Sequence, residues 1–138
     1  MATTSVVFVD GLLAGVFLGS CMVEHAARKL GAAAWIPYKQ AKEAVFGPVM
    51  PIFFGIGLIV CVVAAVLTGR AAVIAAALLL VVVLAITAIV HLPLNKLFQT
   101  WSPTAFPADW DDSRRRWRDW NWVRGVLAVI AFGATLVA

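Results

Sequence analysis

Charge is what this chain has least of. Only 13% of its 138 residues are Asp, Glu, Lys or Arg, while 63% are hydrophobic. An ordinary soluble domain carries about 25% charged residues, and a surface this poor in charge cannot be wetted. A soluble globular domain is therefore excluded. Cysteine is scarce as well: Cys21 and Cys61 both lie inside apolar runs, which excludes a disulfide framework and any CxxC redox or zinc motif. The seven acidic residues fall short of the eleven basic ones, giving a net charge of +4. In so apolar a chain that excess reads as a topology signal, and no nucleic-acid partner is expected.

What is present instead is apolar sequence in long runs. Stretches at residues 5–23, 48–67, 71–90 and 121–138 approach the roughly 20 residues that carry a helix across a bilayer. They predict an all-α membrane protein, a single domain over 1–138 built as a four-transmembrane-helix bundle. No Lys or Arg precedes the first run, so it is not expected to be a signal peptide. Thr68-Gly69-Arg70 reads as a tight turn between the second and third runs. Arg28, Lys29, Lys39 and Lys42 follow the first run; Lys96, Arg114, Arg115, Arg116, Arg118 and Arg124 lie between or beside the third and fourth. Only Arg70 falls on the other side, so ten of the eleven basic residues share one face. The positive-inside rule makes that face cytoplasmic. A multi-pass protein of the cell membrane is expected, with both long connectors cytoplasmic and the N and C termini outside.

Packing signals follow. Gly11, Gly15 and Gly19 recur every fourth residue, and Gly55 and Gly57 repeat the theme. Stacked small residues let helices approach closely, either within one bundle or in a homo-oligomer. Cys21 and Cys61 differ in expected depth by roughly 15 Å at 1.5 Å per residue, too far for a bond, and read as packing residues. Asp10, a turn inside the external end, is expected to pair with Arg70. Asp109 reads as an N-cap, with Asp111 and Asp112 at the positive end of the helix dipole. The amphipathic segment 109–121 carries Arg114-Arg115-Arg116-Trp117-Arg118, suited to anionic lipid headgroups. Trp101, Trp110, Trp117, Trp120 and Trp122 supply an aromatic belt in the lipid bilayer.

Polar residues interrupt these helices at a common depth. Glu24-His25 closes the first run and His91-Leu92-Pro93-Leu94-Asn95 the third; Trp117, Asn121 and Arg124 share one face where the fourth begins. Tyr38 can reach the same layer. Pro93 either ends the third helix or bends it, re-aiming His91 and Asn95. Grouped on three helices, these residues form a candidate pocket at the inner face.

The run His91-Leu92-Pro93-Leu94-Asn95, then Trp101, Pro107-x-x-Trp110, Arg116-Trp117 and Asn121-Trp122-Val123-Arg124, resembles the signature of the anthrone oxygenase family. The glycine-rich first helix, the basic connector and Pro48-x-x-Pro51 are similar too. Asn95, Trp117, Asn121 and Arg124 match the motif, whereas other members often differ at the position of His91. The resemblance implies a small four-helix membrane protein that oxidises an anthrone to an anthraquinone with molecular oxygen.

A cofactor-free version of that chemistry needs a base, His91 or His25, since imidazole titrates near neutrality. It needs donors for a developing oxyanion, which Arg124, Asn121 and Asn95 can supply. Trp117 or Trp120 would stack on a flat substrate. A metal-dependent version would draw on Glu24, His25 and His91 as a two-His-one-carboxylate iron triad, or on the two histidines for copper or haem. The adjacent Glu24 and His25 point about 100° apart on a continuous helix. The competing reading is a non-enzymatic membrane module that binds a small hydrophobic ligand or a partner protein.

Overall fold

A computed structural model describes residues 2–138, with side chains described from Thr4 onward. It is all-helical: α1 (Ala2–Ala27), α2 (Ala32–Thr68), α3 (Ala71–Ile86), a π-helical turn (Thr87–His91), α4 (Leu92–Gln99) and α5 (Trp110–Leu136). Three stretches are long and apolar enough to cross a membrane: Thr4–Ala27, Ala32–Thr68 and Ala71–Gln99. Large apolar side chains along them, such as Phe8, Ile52, Ile59, Val66 and Leu78, point outward and exposed. An exposed apolar surface of that extent suits lipid rather than water.

Each helical rod touches two neighbours, in the cyclic order α1, α2, α3, α5. The core falls into two parts. One, midway along the rods, joins Leu13, Phe17, Phe54, Cys61, Leu80 and Ala128. The other, at the end bearing the basic connectors, joins Trp35, Ile36, Phe98, Trp101 and Trp117.

That second cluster explains a departure from the expected boundaries. The second helix does not begin at residue 48 but at Ala32, and it runs through Pro37, Pro48 and Pro51. The stretch before Pro48 is too polar to read as a span. It folds as helix because Ala32, Trp35, Ile36 and Lys39, at positions i, i+3, i+4 and i+7, bury a single stripe. Pro48 and Pro51 have no N–H to offer the carbonyls of Ala44 and Gly47. Gly69 ends the helix in the left-handed region, φ 61°, and its N–H donates to the Ala65 carbonyl at 3.0 Å. This is the tight turn expected at Thr68-Gly69-Arg70.

Segment 109–121 and the fourth run form one helix, α5, not two pieces. Asp109 occupies the N-cap position, but its side chain makes no capping hydrogen bond. The arginines are engaged with protein groups: Arg114 pairs with Asp111 and donates to the Leu30 carbonyl, and Arg115 pairs with Asp111 and Asp112.

The expected Asp10–Arg70 pair does not form. Asp10 is buried, with Oδ2 3.8 Å from the Cys61 thiol, while Arg70 is exposed. More than two turns inside α1, the carboxylate faces α2 instead of the helix-end rim. Both cysteines are buried and free. Of the glycine series on α1, Gly15 and Gly19 are exposed with open space where a Cβ would stand. Gly11 lies close to the Phe132 ring, and tighter approaches fall outside the series, at Gly57 against Leu13 and at Gly125 against Cys21.

Candidate functional site

The site is built around an irregularity in the third rod. In a π turn one extra residue enters the helical coil, and the N–H of Leu92 reaches back to the Thr87 carbonyl. Pro93 follows directly, yet the chain stays helical to Gln99, so Pro93 does not end the rod. Non-helical backbone at membrane depth is tolerated where it lines a cavity, and here it does.

A cavity of about 250 Å³ lies on the inner side of this turn, and every rod contributes to its wall. Its polar lining is Ser20, Lys39, Lys42, Glu43, Thr87, His91, Asn95, Trp117 and Arg124; Phe17, Met50, Phe54, Leu58 and Leu84 supply much of the apolar remainder.

Arg124 Nε donates to Asn121 Oδ1 at 2.9 Å and Nη1 to Thr87 Oγ1 at 3.2 Å. Nη2 has no hydrogen-bond partner among the described residues, and no carboxylate there forms an ion pair with this guanidinium. Asn121, fully buried, stands behind Arg124: its Nδ2 donates to Ser20 Oγ at 3.4 Å while its Oδ1 fixes the guanidinium. His91 is 1% exposed, and its ring meets that of Trp117 edge-on at 5.0 Å. Nε2 lies 3.3 Å from the Trp117 carbonyl. A carbonyl only accepts, so in the neutral ring Nε2 carries the hydrogen and Nδ1 the lone pair. The Ile86 carbonyl approaches this ring, but Nδ1 completes no hydrogen bond. Trp117 Nε1 donates to Asn95 Oδ1 at 2.7 Å.

Sequence reasoning used Lys39 and Lys42 only for topology, yet both line the cavity. Lys39 Nζ sits 3.1 Å from the centre of the Trp117 ring, and both lysines pair with the buried carboxylate of Glu24. Their i, i+3 spacing on the stripe of Trp35 and Ile36 was the available signal. Glu43, Thr87 and Ser20 were also missed, being unremarkable in an apolar context.

Other expected members fall outside. Tyr38 reaches Glu24 at 3.5 Å but does not line the cavity. His25 is exposed and packs edge-on against Trp122 at 6.4 Å, because its neighbour Glu24 takes the inward face of α1. Trp120 is exposed to the surroundings of the bundle. Glu24, His25 and His91 therefore do not converge as an iron triad, and the two histidines do not face each other as copper or haem ligands. Among the described residues no group of three or more His, Cys, Asp and Glu is placed to hold a metal ion.

The sequence pattern of the anthrone oxygenase family matches residues 35–134, which spans most of the chain and the whole cavity wall from α2 to α5. The chain belongs to the anthrone oxygenase family. Neither a curated protein nor a solved structure matches it. For this anthrone oxygenase family member, membership and apolar helices together support a multi-pass membrane protein.

Proposed function

We propose that the cavity is the reaction site of an anthrone-type oxidation, in which a methylene flanked by two aromatic rings becomes a ketone at the expense of molecular oxygen. The observation that carries this reading is Arg124: a guanidinium facing a cavity with Nη2 unengaged and no carboxylate paired with it. Such a group favours a substrate oxygen that gains negative charge as reaction proceeds. In this mechanism the His91 imidazole, which lines the cavity, takes one methylene proton. The resulting enolate oxygen is held by Arg124, and the ring system lies against Trp117. The enolate carbon gives up an electron pair to dioxygen, and the terminal peroxide oxygen takes back the proton held by His91, forming a hydroperoxide at that carbon. Loss of the second hydrogen there, with release of water, leaves the ketone. One dioxygen is consumed per ketone formed, and one of its atoms leaves as water.

The four rods would all span the bilayer, with the basic connectors on the cytoplasmic side and both termini outside. The cavity would then lie in the inner half of the membrane. Arg114 and Arg118 would hold anionic headgroups at the edges not taken by their protein partners.

Oxygen uptake by purified protein in nanodiscs with anthrone tests the reading, with quinone absorbance followed in parallel. Uptake well above the uncatalysed rate is expected, with a large loss in Arg124→Gln and in His91→Gln. Uptake no faster than in empty nanodiscs would sink it, as would full activity in both folded variants. Metal analysis and an absorption spectrum of the same sample decide whether a cofactor accompanies the protein.

A further inference from the structure

The wall of the cavity indicates how a ligand reaches it. Thr68 and Ala71 are separated only by Gly69 and Arg70, so α2 and α3 leave the turn side by side. Further along, the cavity lies between them, with Met50, Phe54 and Leu58 on one side and Leu84, Ala88 and Leu92 on the other. The outermost of these residues belong to the lipid-facing surface. Leu84 is 43% exposed and Leu92 46%, Phe46 on the facing rim is 41% exposed, and Pro51 and Ala88 are exposed too. All five lie within the two stretches apolar enough to cross a membrane. The mouth is thus cut through the side of the bundle.

Both edges of this mouth are interrupted helix. Pro48 and Pro51 break the hydrogen-bond ladder of α2, and the π turn breaks that of the opposing rod. Two backbone irregularities facing each other across a gap keep the rods from zipping together there, since neither offers a regular ridge to the other's groove.

The interior is mixed. Arg124 and Lys42 share its wall with the apolar Leu58 and Leu84. Lys42 is neutralised by Glu24, whereas Arg124 forms no ion pair among the described residues. An apolar cavity of about 150 Å³ holds one benzene ring, so 250 Å³ accommodates on the order of two fused rings, with a third in the mouth.

We propose that this is a lateral slot. A fused-ring aromatic acid or acidic phenol dissolved in the bilayer passes between α2 and the α3–α4 rod, and its anionic oxygen docks on Arg124. The proposal rests on the reading that the cavity is the substrate site, and it fixes the ligand's charge and its path.

Anthracene-9-carboxylate and the uncharged 9-anthracenemethanol, which share a ring system, test it by energy transfer from tryptophan, with full-length protein in nanodiscs and oxygen excluded. The carboxylate should bind at least tenfold more tightly than the alcohol, and Arg124→Gln should abolish that preference. Stopped-flow rates report the path. Ala88→Leu and, more strongly, Ala88→Trp at the lipid-facing lip should slow association and dissociation together, by tenfold or more for Trp, with a smaller change in affinity. Gln99→Phe, at an exposed position outside the cavity wall and one turn beyond Asn95 towards the connector, should leave both rates within twofold. No saturable binding to the wild type, or equal affinity for the two probes, overturns the ligand. Slowing by Gln99→Phe without slowing by either Ala88 variant overturns the path and assigns entry from the aqueous side. Binding without oxygen uptake in the separate anthrone assay would sink the oxidation while supporting the slot.

Discussion

Lys39 Nζ lies 3.1 Å from the centre of the Trp117 ring and 3.5 Å from Glu24 Oε1, so one buried ammonium is shared between an indole face and a carboxylate. Lys42 pairs with the same oxygen. A single carboxylate thus holds two cations at the junction of α1, α2 and α5, and the aromatic quadrupole supplies part of what the second cation lacks.

Removing the carboxylate should therefore cost more than removing a cation. Glu24→Gln leaves two ammonium groups facing each other, and breaking a buried pair this way costs about 3–5 kcal/mol. Lys39→Met keeps the volume and leaves Lys42 on Glu24, so its cost should be smaller, of order 1–2 kcal/mol. Melting temperatures in detergent rank the two. A Lys39→Met protein less stable than Glu24→Gln would show that the indole contact, and not the carboxylate, anchors the junction.

The hydrogen bond from Trp117 Nε1 to Asn95 Oδ1, 2.7 Å, joins α5 to α4 beside the cavity. Trp117→Phe leaves the Asn95 oxygen without its donor, and Asn95→Leu leaves the indole N–H without its acceptor, each at a cost of about 1–3 kcal/mol. The double variant removes both members, so it should cost less than the sum of the singles by about 1 kcal/mol. Strict additivity in denaturant titrations would mean the two groups are not coupled.

How much of this was legible in the sequence differs from residue to residue. The apolar runs and the sorted charges were enough for an all-helical membrane chain, because a hydrocarbon solvent leaves few alternatives to helix. Trp117, Asn121 and Arg124 could be grouped because their spacing places them on one helical face, and Asn95 joined them by its common depth. Pro93 pointed to an end or a bend beside His91, but that the irregularity takes the form of a π turn over Thr87–His91 could not be read from residue types alone. Lys39 was hidden for a similar reason. A lysine beside a membrane span reads as a sidedness signal, and its burial appears only when Glu24 and Trp117 arrive from distant parts of the chain. His25 failed in the opposite sense: it shares the inner-face depth of His91, but depth does not give direction, and on α1 it is Glu24 that faces inward while His25 is exposed.

Asp10 provides a test in the opposite half of the bundle. Among the described residues its Oδ1 has no hydrogen-bond partner, and its Oδ2 meets the Cys61 thiol. A buried carboxylate so poorly served contributes little, so Asp10→Asn should change stability by less than about 1 kcal/mol or raise it. Arg70→Ala, an exposed position, should fall within about 0.5 kcal/mol of the wild type. Matching losses in both variants, with non-additivity in the double, would restore the Asp10–Arg70 pair that the structure does not contain.

The last prediction concerns why residue 125 is glycine. A Cβ placed there would stand 2.8 Å from Cys21 Sγ, closer than real Cβ contacts come. That sulfur is not idle: it donates to the Asn121 carbonyl at 3.3 Å and lies 3.6 Å from Asn121 Nδ2. Asn121 in turn fixes the Arg124 guanidinium. Gly125→Ala should therefore destabilise the α1–α5 contact by about 1–3 kcal/mol and also weaken binding of anthracene-9-carboxylate, although residue 125 itself does not line the cavity. Cys21→Ala shortens the obstructing side chain, so Gly125→Ala/Cys21→Ala should recover most of the lost stability. Because it also removes the thiol that braces Asn121, it should recover the binding less completely. If the double variant is no more stable than Gly125→Ala alone, the close approach of α1 and α5 is not what holds Arg124 in place.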